Sequence, residues 1–314
     1  MTDQPNKTRP SSNEDVFGKA KFSIEHALGL YASSICTMPA ETIYDKDALA
    51  PLMSVIESCH IYFIGYTPEF QLIDAQQVDR RINLKYTVLG NEYTVQYDLP
   101  EGFSLILDGE TYFVENASGA RRWLSEEDTQ IWLSAESNAI NFDVKYVGQA
   151  FGQDGSRNAI DRLLKHETLQ KIAVKGVPGG YRITLLLLEV KPSNQLFTLI
   201  NPFAKNKDDR DSRIKSGLDK LFNTTEQERI ALYEAAFIRY FYPQFNKEFK
   251  DSFPSTNLKI LQDCYEKDFG AIVAEICIDN LPFKLKSNNV EPTIYHIAKY
   301  DLHKDDDRKM FFGF

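Results

Sequence analysis

Residues 181–190 read Tyr-Arg-Ile-Thr-Leu-Leu-Leu-Leu-Glu-Val, with a six-residue apolar run from Ile183 to Leu188 broken only by Thr184. The run is far shorter than the ~20 residues that a membrane-spanning helix needs. It does not alternate, so it does not describe a strand with one wet face. A short continuous apolar run of this kind fits a central strand covered on both sides. A chain that contains such a strand must place material against both faces of a sheet, which points to a mixed α+β fold.

The rest of the sequence can supply those layers. The chain has 314 residues, 43% hydrophobic and 26% charged, with 21 Phe and 16 Tyr, enough for two domains or one core with large additions. The net charge of −9 argues against a broad coat of nucleic acid, because such affinity comes from neutralising phosphates. Cys36, Cys59, Cys264 and Cys277 form no CxxC pair and have no His at zinc-finger spacing, so reduced thiols and a cytoplasmic setting are expected. Residues 1–14 are polar, lack the apolar segment of a signal peptide, and are expected to be disordered.

Four segments follow from the patterning. Residues 15–140 read as an N-terminal α+β module. A helix is expected from Val16 to about Tyr44, with Ile24, Ala27, Leu28, Tyr31 and Ala32 on one face, and a second over Ala48–Cys59. From Ile61 to Trp123 the pattern is β-like. One hairpin is expected around Gly90-Asn91-Glu92 and another around Asp108-Gly109. Residues 141–250 contain a strand ending at Gly148, then a helix from Arg157 to Ile172 with Ser156 as its N-cap. The strand at 181–190 follows, and then a helix opened by the capping box Thr225-Glu-Gln-Glu228 and stopped by Pro243. Residues 251–314 read as an α/β extension, with a helix near Leu258–Glu266 and strands at Ala271–Ile278 and Thr293–Ile297.

The third segment carries the chemistry. In order it holds Tyr146-Val147-Gly148, Arg162 and His166, Glu234, then Pro243-Gln-Phe-Asn246. Arg162 and His166 are four residues apart, so on one continuous helix their heads would converge on one phosphate. Arg suits that role because its planar fork pairs two phosphate oxygens. Glu234 lies in Leu232-Tyr-Glu-Ala-Ala-Phe-Ile238, an apolar setting in which a carboxylate needs a partner. Between Lys145 and Lys175 six basic residues face three acids, a local +3 within a chain of −9.

This order resembles the GIY-YIG nuclease superfamily over roughly a third of the chain. In that family a YIG or YVG half-motif ends a strand, an Arg follows on the next helix, and a single Glu and an Asn come later. The resemblance implies a small sheet flanked by helices and a metal-dependent endonuclease acting on DNA, with RNA left open. It implies Tyr146, Arg162, His166 and Glu234 as catalytic residues and Glu234 as the ligand of Mg²⁺ or Mn²⁺. Lys145, Arg157, Lys165 and Asn246 would bind substrate. No membrane partner is expected, and a homo-oligomer is compatible. The GIY half-motif is absent from the stretch before Tyr146, which reads Ser134-Ala-Glu-Ser-Asn-Ala-Ile140. A catalytically inactive binding module on the same fold is therefore the alternative. No P-loop or GxSxG elbow accompanies these residues.

Overall fold

The computed structural model describes residues 17–123, 125–152, 158–191, 194–254 and 258–312. In chain order the first elements are β1 (Ile24–Pro39), α1 (Lys46–Leu49), α2 (Met53–Ile56) and β2 (Ile61–Pro68). Next come β3 (Phe70–Val78), β4 (Arg81–Val88), β5 (Asn91–Asp98), β6 (Phe103–Asp108), β7 (Thr111–Asn116), β8 (Arg121–Arg122) and α3 (Glu126–Glu136). Then follow β9 (Asn141–Gln149), α4 (Ala159–Leu163), α5 (Glu167–Lys175), β10 (Tyr181–Val190) and β11 (Gln195–Ile200). The chain continues with α6 (Arg210–Asn223), α7 (Glu226–Phe241), α8 (Lys259–Glu266), β12 (Ala271–Cys277), β13 (Lys284–Lys286) and β14 (Tyr295–Asp301).

The fold is mixed α and β. Its main sheet has eight strands in the order β13-β9-β2-β10-β1-β12-β14, with β11 continuing along β1 beyond β10. β10 is interior to this sheet, as its apolar run requires. Leu185 and Leu187 point into one core with Ile160, Leu163 and Ile172, whereas Leu186 and Leu188 point into the other with Ile230, Phe237 and Phe241. All four leucines are fully buried. Each contributes about 1.5–3 kcal/mol relative to exposure. α4 and α5 thus cover one face and α7 the other, so the ends of β2 and β9 lie between two helical layers.

The expected helix over residues 16–44 is a strand for most of its length. Every residue from Ile24 to Leu30 is buried in β1, including His26 and Gly29 between the apolar positions. The i, i+3, i+4 spacing was a subset of a continuous buried run, and such a run does not distinguish helix from central strand. Gly29 favours the strand, because a Cβ there would lie 2.8 Å from the Phe197 ring of neighbouring β11. The helix expected over 48–59 is broken into α1, a 3₁₀ turn at Ala50–Leu52 and α2, with Pro51 in the break. The highly charged stretch 205–215 enters α6 at Arg210.

Both hairpins form. The first turns at Leu89-Gly90, with φ of 49° and 79°, one residue earlier than expected. Positive φ at both central positions matches the strand twist, and Gly90 adopts it without strain. The three-stranded sheets β3-β4-β5 and β6-β7-β8 stand between β2 and β9 in the chain. The boundaries drawn at residues 140 and 250 fall between strands of one sheet. β1 and β2 come from before 140, and β12 to β14 from after 250. Among the described residues no helix is long and apolar enough to cross a membrane. The tail 1–14 lies outside the described residues.

Candidate active site

β2 and β9 run antiparallel, with Tyr62 opposite Gly148 and Ile64 opposite Tyr146. A Cβ at position 148 would come within 2.6 Å of the Tyr62 ring, so glycine is needed for Tyr62 to lie across β9 beside Tyr146. The two tyrosine rings stack at 6.1 Å between centroids. Tyr62, Tyr146, Arg162 and Glu234 then line one cavity of about 570 Å³, together with Lys171 and Glu248.

The helix read as continuous from Arg157 to Ile172 is two helices. Asn158 caps α4 and closes a capping box with Asp161, and His166 caps α5. Ser156 and Arg157 lie outside the described residues. The break removes the geometry that would have put Arg162 and His166 on one helical face. Arg162, near the end of α4, is exposed and reaches the cavity. His166 is 4% exposed and is not among the residues lining that cavity.

Both ring nitrogens of His166 are engaged. Nδ1 accepts the backbone N–H of Leu169 at 3.2 Å, so the neutral ring carries its proton on Nε2. Nε2 is 2.9 Å from the Tyr62 hydroxyl and donates to it. Burial, with Arg162 close by, pushes the imidazole down to about 4, so it stays neutral at pH 7. His166 therefore faces Tyr62 rather than the cavity, and both its ring nitrogens are spent on Tyr62 and Leu169. Tyr62 in turn is within hydrogen-bonding reach of Tyr146 and of Arg162.

The phenols are poor acids as they stand. Burial raises Tyr62 well above the usual range, and Tyr146 and Glu234 add to the effect. Burial also raises Tyr146, followed by the charge of Glu234. A hydrogen bond from Tyr62 and the Arg162 charge act in the opposite direction. Glu234 on α7 is half-buried. Burial first, and the nearby Glu248 second, push its carboxyl up to about 8, against hydrogen bonds from the Gln149 side chain and backbone and the charge of Arg162.

A carboxylate this unfavourable to ionise, facing a cavity with a second carboxylate, suits a divalent cation. Among the described residues no group of three or more His, Cys, Asp or Glu side chains converges on one point. The donor set fits a largely hydrated Mg²⁺ or Mn²⁺, which takes one or two carboxylates, better than a full protein cage.

Of the expected substrate-binding residues, Asn246 lines the cavity, whereas Lys145 and Lys165 do not. Asn246 is 8% exposed, and its amide accepts from Val147 N at 3.0 Å and donates to Val147 O at 2.8 Å. It fastens the loop after Pro243 to β9 beside Tyr146, and its polar atoms are spent on backbone. Lys145 pairs with Asp143 at 2.8 Å, with only 12% of its side chain exposed, and lies over the Tyr66 ring. Lys165 is exposed but lies outside the lining of the cavity.

Sequence reasoning missed Tyr62. It sits in His60-Ile61-Tyr62, 84 positions before Tyr146, because the two hairpin sheets and α3 are inserted between β2 and β9. Loop-closure cost grows only slowly with length, so strands can pair across such an insertion. The available signal was Ile-Tyr at the start of a strongly apolar strand. No family model, curated protein or solved structure matches this chain.

Proposed function

We propose that the chain is a metal-dependent endonuclease that hydrolyses phosphodiester bonds in DNA through a GIY-YIG-like site. The observation that carries this reading is the convergence of Tyr62, Tyr146, Arg162 and Glu234 on one cavity. Tyr62, on the strand beside the Tyr146-Val147-Gly148 half-motif, is the candidate for the first tyrosine of that family. Its position is consistent with a complete tyrosine pair and favours catalysis over an inactive binding module.

Each residue then has a role. Arg162 pairs the non-bridging phosphate oxygens and offsets the charge that builds on them at the transition state. His166 donates to Tyr62, which leaves the Tyr62 proton free to point at Tyr146. With its oxygen fixed by that bond, Tyr146 orients the attacking water, and as phenolate, its own proton having passed to solvent in the open cavity, it takes the proton of that water. Burial opposes the ionisation of this phenol, and the Arg162 charge eases it. A divalent cation held by Glu234 would supply further positive charge to the phosphate and acidify nearby water.

Mg²⁺-dependent nicking of plasmid DNA is the direct test. Glu234→Ala and Arg162→Ala should each lose at least about a hundredfold in rate, the scale of removing one transition-state contact. Tyr62→Phe should lose a similar factor while still binding DNA. Cutting at the parental rate by both Glu234→Ala and Arg162→Ala would show that the site is wrong.

A further inference from the structure

Beside the main cavity lies a smaller lobe of about 200 Å³, lined by Gln149, Ala150, Phe151, Gly152, Arg162 and Gln227. The two spaces share Gln149 and Arg162 as their common wall. Their chemistry differs. The main cavity carries Arg162, Lys171 and Lys247 against Glu167, Glu234 and Glu248. Among the described residues, the small lobe has Arg162 as its single charged group and otherwise offers two carboxamides, a phenyl ring and backbone.

The geometry of α7 links the two. Gln227 lies in the first turn of that helix, seven residues before Glu234. Seven residues are nearly two full turns, so both side chains lie on one face, separated by about 10 Å along the axis. One helix thus directs Glu234 to the main cavity and Gln227 to the smaller lobe. On the opposite wall, β9 and the residues just after it contribute Gln149 and then Phe151. The Phe151 ring is half-buried and braced by His60 at 5.1 Å in an edge-to-face contact.

A nucleotide has the same division into a charged phosphate and a neutral, flat heterocycle. Carboxamides present a donor and an acceptor side by side, the pairing that reads a base edge, and an aromatic face stacks on a base of any sequence. We propose that the lobe formed by Gln149, Phe151 and Gln227 receives the nucleobase adjoining the scissile phosphate, so that Arg162 sits between base and phosphate. The inference rests on the nuclease reading for the identity of the phosphate, and it adds a determinant of sequence preference next to the cut.

The test uses the full chain and its Phe151→Ala and Gln227→Ala variants on a pool of duplexes with randomised positions flanking the cut, in Mg²⁺. Gln227 is exposed in the first turn of its helix, so Gln227→Ala should leave the fold intact even if Phe151→Ala does not. The parent should show a base preference at the position next to the cut, and both variants should flatten it. The Michaelis constant for a short duplex should rise about tenfold, the scale of one lost base stack. Parental preference and parental Michaelis constants in both variants would overturn the proposal. A parallel arm follows the fluorescence of 2-aminopurine in a single-stranded oligonucleotide. Quenching by a parent that cuts nothing, relieved by Phe151→Ala, keeps the lobe and removes the nuclease reading. No cutting together with no quenching removes both.

Discussion

At the level of single residues, Glu234 makes the most direct claim on solution behaviour. Its carboxyl is pushed from 4.5 up to about 8 by burial and by Glu248. A raised acid holds its proton more tightly in the folded state than in the unfolded chain. Below pH ~4.5 both states are protonated and the group costs nothing. As the pH rises towards about 8, the unfolded chain ionises first, and folding loses stability. Glu234→Gln removes that loss. Thermal melts should show parent and variant alike near pH 5, and the variant more stable by a few degrees at pH 8. Mg²⁺ should raise the parent's melting point at pH 8 and leave that of the variant in place. A melting difference that does not vary with pH would contradict the assignment. Arg162, Tyr146 and Glu234 were legible as sequence because their order and local charge follow the chain. Tyr62 was not, because its relation to Tyr146 is a register across two strands, and register leaves no trace in linear spacing. The hydrogen bonds of Asn246 to Val147 and of His166 to Tyr62 were not legible either, since such partners cannot be seen from residue type.

Among the elements, β10 shows which features the sequence records well. A strand buried on both faces needs apolar residues at every position, and that requirement is written into residues 183–188. β1 obeys the same rule, but it also buries charge. Glu25 is 1% exposed and is paired with Arg308 at 2.8 Å and Arg213 at 3.0 Å, while both guanidinium groups also reach Asp268. This network joins β1, α6 and the segment after β14. The two Arg also stack on the Phe22 ring, at 4.0 and 4.8 Å. Even with both partners present, burial leaves the Glu25 carboxyl above its ordinary value. Removing one partner leaves a buried charge short of compensation. Arg308→Met should therefore destabilise the fold by roughly 3–5 kcal/mol at neutral pH. The loss should shrink in acid, where Glu25 takes up a proton and needs its partner less. Urea unfolding at two pH values measures both effects. A cost below about 1 kcal/mol at neutral pH would mean that Arg213 alone satisfies Glu25. No sequence pattern announced this network, because its members are separated by up to 283 positions.

For the whole molecule, the deciding quantity is where the negative charge lies. Residues 69–140, which hold the two hairpin sheets and α3, contain thirteen acidic and five basic residues, a net −8 of the total −9. A phosphate backbone laid against that surface would be repelled, so the inserted unit is a poor site for gripping DNA. Among the described residues the cationic groups that line the cavity are Arg162, Lys171 and Lys247, and Lys165 and Lys175, near them in sequence, are exposed. On the proposed function, these groups would contact about three to five phosphates of DNA. Counterion release then sets the salt dependence, because each neutralised phosphate adds about −0.9 to the slope of log affinity against log salt. The expected slope is roughly −3 to −5, well short of the value near −10 for a protein that covers a long stretch of backbone. Fluorescence anisotropy of a labelled duplex across a salt titration, with Ca²⁺ in place of Mg²⁺ to slow cutting, gives the slope directly. Lys171→Ala should bring it about one unit closer to zero. Charge neutralisation of acids in the inserted unit, such as Glu92→Gln and Asp98→Asn, should leave it unchanged. A slope near −10 in the parent would require a wide DNA footprint that this distribution of charge does not provide.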